Sequence, residues 1–378
     1  MPPATSVEQR LLADQARDVL QRRRATLGRV GLAAASRAER AALYRELAGL
    51  GWTAALLPAE LGGLGLRPAD FAPVARELGR QVTPAVAQPA AYRVSGVLAM
   101  APASAARDLL AAALASGDQM VTAAIPSVGG PTTAPAVALD GGQLSGSVRG
   151  VPEADIATWL VVAAQTVDAV GSPTLVIVAL DAPGGRATPL RCIDPTQRMF
   201  TVHLDDVTVP DAAVLATGTA AEACLANAFE QSAALYAAEL CGVAEAAMEM
   251  AVAYAKERQQ FGRPIGSFQA VAHRCAQMLP QLDAADALTT AALAALGEPA
   301  APGDTEYAVS LAKTCASAAA RAITASSIQV HGGIGFTWDH DAHLYFKRAH
   351  FDALAAGDDT FHRRRIARHL CIRRADAR

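Results

Sequence analysis

The chain has 378 residues, 52% of them apolar, with a formal net charge of −3. The length suits two or three domains, and the apolar fraction suits large cores. The charge balance excludes a nucleic-acid partner recognised through bulk electrostatics, and the sequence shows no uncharged apolar run long enough for a membrane span.

Much of the apolar content is alanine and aromatics are few, which predicts closely packed helices. Lysine is nearly absent (Lys256, Lys313, Lys347), so arginine carries the positive charge. Six scattered cysteines show no CxxC pair and no zinc spacing, and are expected to be buried free thiols in a reducing compartment. Met1-Pro2-Pro3-Ala4-Thr5 leads straight into a charged amphipathic helix without a secretory signal, so a cytoplasmic protein is expected.

Residues 1–118 are expected to form a helical domain. Ser6-x-x-Gln9 and Ser36-x-x-Glu39 are capping boxes that open its first two helices. The second helix stops at Gly49 and Gly51. A loop follows, Leu57-Pro58-Ala59-Glu60-Leu61-Gly62-Gly63-Leu64-Gly65, then a third helix ending in Glu77-Leu78-Gly79-Arg80.

Residues 119–218 change texture. Short apolar runs at 120–125, 136–139, 158–164, 174–180 and 200–204 alternate with turn signals such as Asp140-Gly141-Gly142 and Pro183-Gly184-Gly185. They predict a β domain inserted between helical blocks.

Residues 219–378 return to helix. In the stretch from Phe229 to Ala270 the first thirty residues are predicted to form one long helix, rich in Ala, Leu, Met, Glu and Lys. Its apolar positions Leu235, Ala238, Val243, Ala246, Met250 and Val252 recur at helical spacing. It ends in Arg258-Gln259-Gln260-Phe261-Gly262-Arg263-Pro264, a stop signal, and a new helix is expected to start under a Ser267 cap with Phe268-Gln269 in its first turn. A loop over 297–304 and another long helix over 305–329 precede Gln329-Val330-His331-Gly332-Gly333-Ile334-Gly335-Phe336 and a helical tail.

The two clusters, Arg258-Gln-Gln-Phe261-Gly262 with Phe268-Gln269 and Gln329 to Phe336 about sixty residues on, resemble the two signatures of the acyl-CoA dehydrogenase family. The 57–65 loop, Glu77 to Arg80 and the run Thr201 to Pro210 match the same family in order. The resemblance covers nearly the whole chain. It implies a mostly α fold: an N-terminal helical domain, a middle β-barrel domain and a C-terminal four-helix bundle. It also implies FAD as cofactor, an acyl-CoA thioester as substrate, a tetramer, and an electron-transfer flavoprotein as acceptor.

A pyrophosphate needs guanidinium or backbone N–H donors. Arg258 offers the first, and Gly332 and Gly333 let the backbone approach closely for the second. By family match Phe261, Phe268, Gln269, Gln329 and Val330 complete the FAD site, partly across a subunit boundary. The family's flavin-ring loop survives only in part, as Ala124-Ile125-Pro126-Ser127-Val128-Gly129-Gly130, and Gly150-Val151-Pro152 replaces the segment that covers the ring.

Desaturation also needs a carboxylate within reach of the α-carbon. The family places it in a turn after the second signature, where this chain has Ala356, or on the central helix, where it has Ser232. Glu239 is the in-chain base that remains to be named. It lies about 20° around the helix from Ser232 but about 10 Å along it, and its other reading is a packing or interface acid. Glu230 aligns with a family acid that contacts acyl-CoA. Lys347-Arg348 and His362-Arg363-Arg364-Arg365 with Arg368 read as a solvated basic face complementing a helix C-terminus, or as contacts to a CoA phosphate or a neighbouring subunit. Two functions follow. Either the chain is an acyl-CoA dehydrogenase with an unusual base, or it is a catalytically incomplete subunit of a heterotetramer with a homologous dehydrogenase.

Overall fold

A computed structural model describes residues 6–125, 130, 135–166, 172–298, 301 and 303–376. The helices in chain order are α1 (Val7–Ala34), α2 (Arg37–Gly49), α3 (Pro68–Gln81), α4 (Ser95–Met100), α5 (Ala105–Ser116), α6 (Gly218–Glu257), α7 (Gln269–Ala295), α8 (Asp304–His331), α9 (Ala342–Asp352) and α10 (Asp359–Asp376). The strands are β1 (Val121–Ala124), β2 (Val137–Asp140), β3 (Gln143–Pro152), β4 (Trp159–Thr166), β5 (Pro173–Ala179), β6 (Gly185–Leu190), β7 (Met199–Thr208), β8 (Val214–Thr217), and the short pair β9 (Gln259–Gln260) and β10 (Arg263–Pro264).

The chain divides into two compact units. One comprises Met1–Ala34, Pro68–Thr83 and Ala233–Arg378, the other Ala35–Arg67 and Pro84–Ser232. The division falls inside α6, between Ser232 and Ala233.

The first unit is helical. Gln9 N donates to Ser6 Oγ at 3.1 Å and Ser6 N to Gln9 Oε1 at 3.0 Å, closing the capping box read from the sequence. Helices α3 and α6 cross backbone to backbone. A Cβ at Gly79 would lie 2.1 Å from Glu239 O, and one at Gly242 would lie 1.9 Å from Arg76 O. No side chain fits at either position. The two helices are then tied by charge: Arg76 Nε donates to Glu245 Oε2 at 3.0 Å and Arg80 Nη1 lies 2.6 Å from the same atom, while α1 joins α3 through Arg17 Nη2, 2.8 Å from Glu77 Oε1.

The second unit holds an eight-stranded mixed sheet in the order β6-β7-β3-β2-β4-β5-β8, with β1 parallel to β4. Leu144, Val151, Leu160, Val162, Val176, Phe200 and Val202 fill its core. The five apolar runs correspond to β1, β2, β4, β5 and β7. Strand β3 carries no such run, because Gln143, Ser145, Gly146, Ser147, Arg149 and Gly150 separate its apolar residues. The capping box at Ser36 opens α2 in this unit, with Glu39 N donating to Ser36 Oγ at 3.2 Å.

All six cysteines are free, but only Cys224 and Cys241 are buried; Cys371 is exposed and the other three are half-buried. Among the described residues no helix is long and apolar enough to cross a membrane.

Candidate cofactor and active site

The first signature folds as a tight hairpin at the end of α6. Arg258 N donates to Tyr254 O at 2.8 Å, and Ile265 N returns to Arg258 O at 2.8 Å. Strands β9 and β10 pair Gln260 with Arg263, leaving Phe261 and Gly262 as the two turn residues. Their φ values, 54° and 77°, are both positive, as a type I′ turn requires. Glycine adopts this freely, whereas a phenylalanine there costs on the order of 1–3 kcal/mol. Yet Phe261 is 91% exposed, so no packing within the chain explains it. Its ring meets Phe268 edge-on at 6.1 Å, and the Arg263 guanidinium lies 4.2 Å over Phe268. Ser267 is not the cap of α7. Its Oγ donates to Pro264 O at 2.7 Å, closing the preceding turn, and Phe268 stands at the N-cap without a side-chain bond.

The second signature lies at the end of α8. Gln329 is exposed, Val330 is buried, and Gly332 and Gly333 are exposed with open space where a Cβ would stand. The rings of Tyr254 and His331 bring the two signatures together, with centroids 4.5 Å apart, and His340 stacks on His331 at 4.1 Å. His331 Nδ1 lies 2.7 Å from Ser327 O, so that nitrogen is the donor. Burial lowers the His331 pKa, which keeps the ring neutral near pH 7. An exposed Arg258, two aromatic rings and an unobstructed diglycine therefore share one unit. Such a surface can bind phosphate oxygens and stack a flat base. Gln269, the first residue of α7, is exposed.

The positions that would carry a base are filled differently. Ala356 sits in a left-handed turn, φ 52°, beside Gly357 at φ 96°. That turn is clamped from within the helices. Lys313 Nζ donates to Asp352 O at 2.9 Å and Ala353 O at 3.0 Å, and His362 Nε2 donates to Ala356 O at 2.9 Å. Burial pushes Lys313 down to about 7, opposed by Asp352. Burial and the nearby Lys313 push His362 down to about 3. Asp358 caps α10, accepting from Phe361 N at 2.8 Å.

Ser232 Oγ lies 2.6 Å from Ala228 O and 3.0 Å from Tyr92 O. Tyr92 belongs to a π-helical turn, Pro89–Val94, whose wider register frees carbonyls. Gln231 Nε2 also donates to Tyr92 O, at 3.0 Å. The serine is thus a packing residue of that turn.

Glu239 is fully buried, and Arg348 Nη1 donates to its Oε1 at 2.9 Å. Arg348 Nη2 donates to Thr83 O at 2.8 Å. Arg348 is therefore a core residue and not part of a solvated basic face; His362 is likewise buried. Arg363, Arg364 and Arg365 lie in the first half of α10 and Arg368 near its middle; the helix runs on to Asp376, so none of the four sits in its last turn. Glu230 is buried in the other unit. Residues 126–129 of the expected flavin-ring loop lie outside the described residues. Val151 and Pro152 are packed opposite Phe200 and Met199 of β7. The roles of Tyr254 and Lys313 escape the sequence reading, because their partners His331 and Asp352 are distant in the chain. No group of three metal-binding side chains occurs among the described residues.

A helical bundle bearing an arginine–aromatic hairpin beside a diglycine turn, joined to a mixed-sheet unit, defines a class of two-signature proteins. The family model for the acyl-CoA dehydrogenase N-terminal domain matches residues 6–118, and that for the C-terminal domain matches residues 223–371. The chain is 32% identical to acyl-CoA dehydrogenase IpdE2 of Mycobacterium tuberculosis, over 80% of this chain and 78% of that protein. Its fold is similar to that of the ChsE4-ChsE5 complex from Mycobacterium tuberculosis, with TM-score 0.83, 25% identity, and 98% and 99% of the two chains covered. It is also similar to a glutaryl-CoA dehydrogenase from Mycobacterium smegmatis solved with FADH2, with TM-score 0.85, 19% identity, and 97% and 95% covered. The chain belongs to the acyl-CoA dehydrogenase family, a family of oxidoreductases.

Proposed function

We propose that this chain works in an oligomer that desaturates an acyl-CoA thioester with FAD, as the subunit that completes a flavin site without supplying the base. The observation that carries this reading is the state of the three base positions. Ala356 has no carboxylate, Ser232 is bonded to backbone carbonyls, and Glu239 is held by Arg348 in a site with no exposure.

The phosphate side fits the cofactor. Gly332 and Gly333 leave the room a pyrophosphate needs, and Arg258 is an exposed cation at the same end of the unit. Phe261 holds an unfavourable backbone conformation that presents its ring to solvent, which suits a contact made only on assembly. Bound FAD would supply the hydride acceptor that no side chain provides. This chain's share is then to grip the dinucleotide with Arg258 and the diglycine backbone, and to flank it with Phe261 and Phe268. The proton on the substrate's α-carbon is left to a carboxylate of a homologous partner. The three base positions favour assembly as a heterotetramer with such a partner over a homotetramer, because four copies of this chain would bring no base.

The visible spectrum of the purified chain, alone and co-expressed with a homologous subunit, tests the reading. A colourless chain that acquires flavin absorbance near about 450 nm only with its partner supports it. A yellow chain bleached by acyl-CoA on its own overturns it.

A further inference from the structure

Away from the two signatures and the base positions, one buried acid stands out. Glu153 follows directly on β3 and is 1% exposed, yet its backbone is left-handed at φ 55°. A glutamate pays for that conformation, and the surroundings must enforce it. Its N donates to Arg198 O at 2.8 Å, and its O accepts from Ile156 N and Ala157 N, each at 3.1 Å.

The charges around it do not balance. Arg40, reaching in from α2, is 4% exposed and serves two carboxylates. Its fork closes on Asp155, with Nη1 to Oδ1 at 3.0 Å and Nη2 to Oδ2 at 2.5 Å. Glu153 Oε2 shares only the Nη1 atom, and Oε1 is buried without a hydrogen-bond partner among the described residues. Arg198 contributes a further, weaker attraction, and Asp155 repels. One guanidinium thus faces two acids, and the more deeply buried acid has the poorer share.

We propose that Glu153 is a proton-dependent latch on the turn over residues 153–157, closed while the carboxyl holds a proton and opened when it ionises. A buried carboxylate with an unsatisfied oxygen is costly in its charged form, and opening the turn lets water reach it. The direction of titration agrees. Burial pushes Glu153 up to about 7, against the pull of Arg40. The folded turn therefore binds more protons than the open one between about pH 4.5 and 7, and closure weakens as pH rises through that window. The turn is continuous with Gly150-Val151-Pro152, so under the proposed flavin function it would adjust the wall beside the ring. The opening itself does not depend on that function.

Hydrogen–deuterium exchange of the full chain between pH 6 and 8, corrected for intrinsic base catalysis, tests the latch. Corrected exchange at amides 154–157 should rise about tenfold, as expected if the open turn has an ordinary carboxyl pKa. Glu153→Gln should flatten the profile. Asp155→Asn frees the Arg40 fork for Glu153 and should move the rise to lower pH. A flat wild-type profile overturns the proposal, and so does a Glu153→Gln profile as steep as the wild type. Flavin content measured on the same samples reports separately on the proposed cofactor.

Discussion

Glu239 and Arg348 illustrate how much a single residue's meaning depends on its partner. From the sequence, Glu239 is the carboxylate that shares a helix face with the expected base position at Ser232. In the fold it is half of a pair in which both side chains have no exposure. Removing one member of a buried pair strands the other charge, so Glu239→Ala should cost about 3 to 5 kcal/mol of stability in urea unfolding. An unchanged midpoint would show that the pair is not what holds Glu239 in place. The clamp on the 353–358 turn makes a second expectation. His362 is held at about 3, well below the ordinary imidazole value of 6.5. The unfolded chain therefore takes up a proton between about pH 6.5 and 3 that the folded chain refuses, and stability falls as pH drops through that window. Between pH 7 and 4 the loss from this one group is up to about 3 kcal/mol. Unfolding of His362→Gln at the two pH values should show a correspondingly smaller difference, and an equal difference would assign the acid lability elsewhere. Neither pairing could be read from the chain, since Glu239 and Arg348 are separated by 109 positions and Lys313 and Asp352 by 39.

At the scale of elements, legibility followed local chemistry. Both capping boxes closed as their spacing indicated, because Ser6 with Gln9 and Ser36 with Glu39 each complete a motif within three residues. Helix α6 is longer than expected and begins at Gly218. Strands with uninterrupted apolar runs were legible; β6 was not, being an edge strand with Pro189 and few apolar residues. The arginine–aromatic cluster was legible as a motif, but its shape was not. Gly262 and Pro264 mark a stop, whereas the structure makes a two-residue hairpin from Phe261 and Gly262. That shape makes a two-sided expectation. Phe261→Gly relieves the left-handed strain and should raise stability by about 1 kcal/mol. The same change should weaken flavin retention by the assembled protein, measured by absorbance after gel filtration. A variant that is no more stable and loses no flavin would mean that cofactor contact does not account for the exposed ring.

For the whole molecule, the composition explains both the close helix contacts and the unfinished surface. Alanine and glycine let α3 and α6 touch through their backbones, so large apolar side chains are not all needed inside. Several remain outside, scattered from Val7 to Leu370, and among the described residues the exposed aromatic ones lie in or beside the two signatures: Phe261 is 91% exposed, Phe336 73% and Trp338 53%. Scattered exposed aliphatic residues need no explanation, whereas exposed rings in or beside the motifs of a proposed cofactor site suit a surface covered on assembly. The tryptophans provide a direct measurement. Trp52 is 2% exposed and Trp159 half-buried, while Trp338 lies under the Lys347 ammonium at 5.1 Å and is open to solvent. Iodide should therefore quench a fraction of the isolated chain's fluorescence that Trp338→Phe removes. Adding the homologous partner should protect that same fraction, because the proposed assembly would cover the second signature. If Trp338 stays equally quenchable in a complex that holds flavin, the cofactor site is completed elsewhere on the chain, and the exposed rings of the two signatures have some other use.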